Sequence, residues 1–141
     1  KYIGSEVAWA DVQSSIFSDK TEPELVEIAT VKSVDEVIVK LQKAYPVFKT
    51  KTPLYTTDPL SAKIGLKEGL KPRDKFIVLE QNQDENGKTF YKKVGKIKVD
   101  KKQIWDNRFN AADSVGANGM IDRTLFKGGK NYYPGMLIMQ K

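Results

Sequence analysis

The chain has 141 residues and a net charge of +6, with 40% hydrophobic and 30% charged residues, which are ordinary values for a globular protein. It contains no cysteine and no histidine. Their absence excludes disulfides, thiolate metal sites and the side chain that most often serves as general base or zinc ligand. The longest apolar runs, such as Met136-Leu137-Ile138-Met139, are too short to span a bilayer, so no transmembrane segment is expected.

The N-terminal part, residues 1–46, is predicted to be an α/β segment with one helix, and we expect it to be the end of a larger N-terminal region. Ser33-Val34-Asp35-Glu36 is typical of a capping box. Apolar residues at helical spacing follow it up to Pro46, so the helix is expected over 33–45. Before it, the alternation in residues 25–31 favours a strand, although Thr21-Glu22-Pro23-Glu24 could equally cap a helix.

Residues 47–141 are predicted to form a small β-barrel domain. Strands are expected near 75–82, 89–99 and 136–140, with short β-like pieces at 47–51 and 54–56. Residues 57–63 are expected to be a linker or turn, residues 106–119 a long mobile loop, and residues 122–126 a helical turn. The predicted fold class is therefore α+β, a helix-containing N-terminal segment followed by a small antiparallel barrel of SH3-like or related type.

One hairpin can be derived in detail. Asn86-Gly87 is the strongest short turn signal, because a type I′ turn needs positive φ at both central residues. Centring the turn there pairs Phe76 with Ile97, Leu79 with Val94, and Glu80 with Lys93. In that register the core face holds Phe76, Val78, Ile97 and Val99, whereas the other face holds Lys75, Ile77, Leu79, Lys92, Val94, Lys96 and Lys98.

The net positive charge comes from one stretch of the chain. Seven lysines and one acid lie between residues 87 and 102, and the rest of the chain is neutral overall. The candidate polyanion-binding residues are Lys75, Lys92, Lys96 and Lys98. Lysines on a sheet are equally typical of a solvated face that discourages aggregation. Tyr91 is expected on the opposite face from Lys92 and Lys96, where it could not help to stack bases, so no specific nucleic acid is expected as a partner.

Aromatic and polar residues crowd together at two predicted loop edges, in Trp105-Asp106-Asn107-Arg108 and in Asn131-Tyr132-Tyr133-Pro134-Gly135. Such groups are enriched at binding hot spots, although core packing or loop anchoring explains them equally well. For Trp105 we expect anchoring of the adjacent loop. The candidate partner-binding residues are Trp105, Arg108, Tyr132 and Tyr133.

The sequence contains no recognisable set of catalytic residues. Asn82-x-Asp84-x-Asn86-Gly87 is similar to the first half of a calcium loop, but Lys93 stands where the bidentate glutamate is required. Phosphate-loop and serine-nucleophile motifs are absent from the sequence. We therefore expect no metal, no cofactor and no enzymatic activity.

The segment Gly65-Leu66-Lys67-Glu68-Gly69-Leu70, followed by Asp74-Lys75-Phe76-Ile77-Val78, resembles a pattern in small envelope-associated β-barrels, such as the C-terminal barrel of flagellar assembly protein T. Together with residues 102–108 and Tyr133-Pro134-Gly135-Met136, residues 47–141 more closely resemble a group of uncharacterised exported proteins of Bacteroidetes. The resemblance implies a periplasmic or outer-envelope location, another envelope protein as partner, and Leu70 and Phe76 as plugs of the barrel end. It implies no catalytic residues.

These observations favour a non-enzymatic cell-envelope module that binds or positions another protein. The alternative is a polyanion- or glycan-binding module that uses the lysine-rich sheet face.

Overall fold

The computed structural model describes residues 1–12, 20–109, 111, 121–129 and 131–141. These residues divide into two compact units, Lys1–Phe48 and Lys49–Lys141. Of the predicted loop over 106–119, residue 110 and residues 112–119 lie outside the described residues.

The first unit contains one long helix, α1, which covers Glu22–Ala44. Its N-cap is Thr21, whose backbone N–H and hydroxyl both donate to the carboxylate of Glu24, at 2.6 and 2.8 Å. The alternative start at residues 21–24 is therefore the actual one, and the predicted strand over 25–31 is wrong. Ser33 does not cap a helix, because its hydroxyl donates to the Ala29 carbonyl oxygen one turn earlier, as a serine inside a helix can.

The end of α1 is also set locally. The Tyr45 N–H donates to the Leu41 carbonyl oxygen, and a short 3-10 turn follows over Pro46–Phe48, where the prediction had a β-like piece. Ala29 is the buried residue of α1. None of the helices in the described part of the chain combines the length and the apolar character that crossing a bilayer needs.

The second unit is a closed antiparallel barrel of six strands, in the order β1-β2-β5-β4-β3-β6. The predicted α+β class with a small barrel is thus confirmed. The strands are β1 (Thr52–Thr57), β2 (Leu60–Ala62), β3 (Lys75–Gln83), β4 (Thr89–Val99), β5 (Thr124–Lys127) and β6 (Leu137–Gln140). The strands predicted near 75–82, 89–99 and 136–140 correspond to β3, β4 and β6.

Two barrel strands contradict the sequence-based expectations. β2 lies in the predicted linker over 57–63, and β5 lies where residues 122–126 were expected to form a helical turn. The two short strands pair with each other, Ser61 with Leu125 and Ala62 with Thr124. Three or four residues are too few to show an alternating pattern, so their strand conformation depends on this long-range pairing.

The barrel interior is a continuous apolar cluster. The rings of Phe76 and Phe126 meet edge to face, with centroids 5.3 Å apart. Leu70 and Phe76, which the resemblance implied as plugs, both belong to this cluster. Its buried members are Leu54, Ala62, Ile64, Leu70, Phe76, Val78, Ile97, Val99, Phe126, Met136 and Ile138.

Candidate functional site

The β3–β4 hairpin follows the predicted register only in its lower half. Phe76 pairs with Ile97 and Val78 with Gly95, as expected. The register then shifts by one residue, so that Leu79 pairs with Lys93 instead of Val94. Val94 is the extra residue of a β-bulge at this point.

The hairpin turn explains why the shift is needed. Gly87 has φ of 75°, whereas Asn86 keeps a negative φ, so the predicted type I′ turn is wrong. The Gly87 N–H donates to the Asp84 carbonyl oxygen (2.9 Å), and the Asp84 N–H donates to the Lys88 carbonyl oxygen (3.0 Å). This is a type I turn followed by a left-handed glycine, which holds one residue more than a type I′ turn. The bulge at Val94 compensates for it before the strands enter the core.

Asp84 has a structural role in this turn. Its Oδ1 accepts the backbone N–H groups of Asn86 (3.0 Å) and Lys88 (2.8 Å), as an aspartate at the first turn position commonly does. This carboxylate oxygen is therefore engaged by the backbone of the turn. Within the described ranges, no group of three or more acidic side chains is arranged to hold a metal ion.

The bulge changes which lysines share a face. Cross-strand partners lie on the same face of a sheet. Lys92 pairs with Glu80 and so lies on the face that continues from Val78 into the core. The prediction that Lys92 shares a face with Lys75, Lys96 and Lys98 is wrong. Lys93 takes its place there, because it pairs with Leu79.

The same shift moves Tyr91 to the lysine-rich face. Tyr91 pairs with Gln81, which shares the face of Leu79 and therefore of Lys93. The expectation that Tyr91 and Lys96 lie on opposite faces is thus also wrong. The Lys51 ammonium lies 4.4 Å from the centroid of the Tyr91 ring, a distance typical of a cation–π contact.

The upper half of the hairpin, residues 80–94, extends beyond the strands on both sides, and we call it the projecting hairpin. β6 pairs with β3 only as far as Leu79, and β5 pairs with β4 only at Lys98 and Val99. Residues 89–94 are all exposed. Three of them are large apolar or aromatic residues, Phe90 (47% exposed), Tyr91 (42%) and Val94 (37%).

The two predicted tyrosines lie at the foot of the projecting hairpin. Tyr132 is partly buried and packs against the barrel core. A Cβ on Gly95 would lie 1.9 Å from its hydroxyl oxygen, so glycine is required for this approach. The half-exposed Tyr133 donates its hydroxyl to Glu80 Oε1 at 3.3 Å. Desolvation, followed by the charge of Glu80, raises the pKa of Tyr133 above its ordinary value.

Trp105 and Arg108 lie near the start of β5. The Trp105 N–H donates to the hydroxyl of Thr124, the first residue of β5, at 2.9 Å. The Arg108 guanidinium forms two hydrogen bonds with Asp106, at 2.8 and 2.6 Å. These bonds hold the pKa of the Asp106 carboxyl below its ordinary value. The four candidate partner-binding residues therefore form two separate groups. Trp105 and Arg108 lie near the start of β5, whereas Tyr132 and Tyr133 lie at the foot of the projecting hairpin.

The segment around Trp105 is attached to the glycine-containing segment 65–70. The Trp105 carbonyl oxygen accepts the Leu66 N–H (2.9 Å), and a Cβ on Gly65 would lie 2.2 Å from that oxygen. Asn107 accepts the Lys67 N–H and donates to the Glu68 carboxylate, both at 2.9 Å. The residues that carry the resemblance thus hold two parts of the barrel together.

The surface that sequence reasoning missed is the projecting hairpin itself. Phe90 and Val94 were assigned to a strand but not to any site. The feature that reveals this surface is that β3 and β4 are longer than the neighbouring strands. It can be recognised only when the bounds of all the strands are known.

Comparisons of the chain with protein-family models, with curated proteins and with solved structures returned no match.

Proposed function

We propose that this chain is a non-enzymatic module that binds another protein, and that the projecting hairpin is its binding surface. The observation that supports this most directly is the exposure of Phe90, Tyr91 and Val94 on residues 89–94, beyond the neighbouring strands. Apolar side chains gathered on a projecting strand lose contact with water when a partner covers them. The cell envelope stays the proposed location, on the strength of the resemblance in residues 65–78.

The foot of the projecting hairpin adds an ordered polar margin to this surface. Glu80 pairs with Lys92 and accepts the hydroxyl of Tyr133, which is itself half exposed. Protein interfaces commonly combine aromatic side chains at the centre with a polar rim. Phe90 and Tyr133 would supply the aromatic contacts here, and Glu80 and Lys92 the rim.

Polyanion binding is the second candidate, and one observation favours it. Tyr91 shares a face with Lys93 and Lys96, and an aromatic residue among lysines is typical of surfaces that bind single-stranded nucleic acid. The Tyr91 ring is however already engaged by Lys51, at 4.4 Å from the centroid. This contact leaves less of the ring for stacking, and we therefore rank protein binding first.

The test is capture of a partner from an envelope fraction with the full chain as bait. We expect the double variant Phe90→Ser/Val94→Ser to lose a protein that the wild-type chain retains. Phe109→Ser is the matched control, because Phe109 is 45% exposed but lies outside the hairpin. The captured protein is then purified and its affinity for each variant is measured. Equal affinity for the wild-type chain and the double variant would contradict the proposed surface.

A salt titration separates the second candidate from the first. Heparin and single-stranded DNA serve as probes, with Lys93→Gln/Lys96→Gln as the variant. Counterion release makes polyanion binding fall steeply with salt. Tight heparin binding that depends on these lysines and disappears at high salt, together with no captured protein, would favour the polyanion function instead.

A further inference from the structure

On the basis of the proposed function, we propose that the partner contributes an extended acidic segment, which pairs as an additional strand with the open edge of β4. The open edge is the side of residues 89–94 that faces away from β3.

At the open edge, β4 has a neighbouring strand on one side only among the described residues. β4 pairs with β3 from Thr89 to Lys98, but with β5 only at Lys98 and Val99. Gly128 then approaches β4, since a Cβ placed on it would lie 3.4 Å from the Lys96 carbonyl oxygen. In the part of the chain that the structure describes, no strand pairs with residues 89–94 on that side. A row of backbone groups there is available to an added strand.

The turn determines which backbone groups point towards the open edge. The Asp84 N–H donates to the Lys88 carbonyl oxygen, so these two residues form a hydrogen-bonded pair. Hydrogen-bonded and non-hydrogen-bonded pairs alternate along an antiparallel ladder. Counting from the turn, Thr89, Tyr91 and Lys93 fall in non-hydrogen-bonded pairs. Their N–H and C=O groups therefore point away from β3, in the spacing that an added strand requires.

The charge of β4 indicates which kind of segment would bind at the open edge. The open edge itself, residues 89–94, has two lysines, Lys92 and Lys93, and no acid, and Lys88, Lys96 and Lys98 flank it along the chain. A second copy of this strand would place lysines against lysines, which opposes pairing. An acidic strand meets the opposite charge and is attracted.

The exposed side chains add an apolar requirement. Side chains of an added strand point alternately to the two faces of the sheet. They would pass Phe90 on one face and Tyr91 on the other, both more than 40% exposed. A segment in which acidic and apolar residues alternate can present its acidic side chains on the face of Lys93 and Tyr91 and its apolar side chains on the face of Phe90. Nucleic acid has no peptide groups, so it cannot form the regular backbone hydrogen bonds that an added strand forms with this edge.

The experiment is an NMR titration of the full-length 15N-labelled chain with the peptide Ac-Glu-Val-Glu-Ile-Glu-Val-Glu-NH2. A second peptide has the same side chains but N-methyl groups at alternate residues, which remove the donors needed for pairing. We expect the largest shifts at the amides of Thr89, Tyr91 and Lys93. The N-methylated peptide should bind at least about tenfold more weakly, because it loses several backbone hydrogen bonds. Lys93→Glu should weaken binding, whereas Lys101→Glu, an exposed lysine beyond β4, should not.

Three results would overturn the inference. The first is equal binding of the two peptides, which would mean that charge alone attracts them. The second is that these three amides do not shift at millimolar peptide, and the third is concentration-dependent self-association through the same amides. If the inference fails while partner capture still depends on Phe90, the proposed protein-binding function stands. If capture does not depend on Phe90, both fail.

Discussion

The buried hydroxyl of Thr124 provides the sharpest test of how the barrel is closed. Thr124 is fully buried; its Oγ1 donates to the Ile64 carbonyl oxygen at 2.6 Å and accepts the Trp105 N–H at 2.9 Å. Thr124→Val keeps the shape of the side chain but leaves both backbone groups without this partner. An unsatisfied buried group costs about 1–3 kcal/mol. We therefore expect the free energy of unfolding to fall by about 2–4 kcal/mol, a large part of the usual stability of a small domain.

Urea denaturation followed by tryptophan fluorescence measures this loss. The chain has two tryptophans, Trp9 and Trp105. A Trp9→Phe background makes Trp105 the reporter for the barrel unit. Thr89→Val is the control, since Thr89 is exposed on β4 and should change stability by less than about 0.5 kcal/mol. An equally small effect of Thr124→Val, with an unchanged denaturant slope, would refute the reasoning.

Further predictions concern the segment 65–70, one ion pair and the projecting hairpin. Gly65→Ala should lower the free energy of unfolding by about 1–3 kcal/mol or more, because the new Cβ would collide with the Trp105 carbonyl oxygen; thermal unfolding that matches the wild type would contradict this. The hydrogen bond from Lys127, followed by that from the Lys102 N–H, lowers the pKa of Asp100 in the folded chain. Ionised Asp100 therefore stabilises the fold at pH values above its ordinary pKa of 3.8. This contribution is lost as the pH falls through the lower pKa of the folded state. Asp100→Asn should therefore lower the melting temperature at neutral pH, and the difference from the wild type should shrink as the pH falls below 3.8. Phe90→Ser should leave the melting temperature unchanged within about 1 °C, because the side chain lies outside the core; a larger fall would show that Phe90 has a structural role.

The parts of the fold that were predictable are those that local sequence specifies. The alternation of Phe76, Val78, Ile97 and Val99 gave the core face of β3 and β4, and the structure agrees. The first half of α1 was missed because β-branched and apolar residues there satisfy both helical and strand patterns. β2 and β5 were missed because their conformation depends on each other across about 60 residues.

The hairpin error has a more specific origin. Asn86-Gly87 by itself predicts the two central residues of a type I′ turn, but Asp84 accepts two backbone N–H groups and favours the longer turn. A change of one residue in the turn reverses every side chain up to the next irregularity. The bulge at Val94 ends this reversal, so the core residues were assigned correctly while Lys92 and Tyr91 were placed on the wrong faces.

Sequence motifs and binding surfaces differ here in how they are encoded. The residues that stood out, Gly65, Glu68 and Asn107, are needed at those positions because a close backbone approach or a partly buried hydrogen bond tolerates few alternatives. They account for the architecture of the barrel and leave its function unassigned. The open edge of β4 is defined by where β5 stops pairing, which no residue of β4 itself determines. A surface of this kind has no motif, and it can be found only by asking which backbone groups remain available once all the strands have been paired.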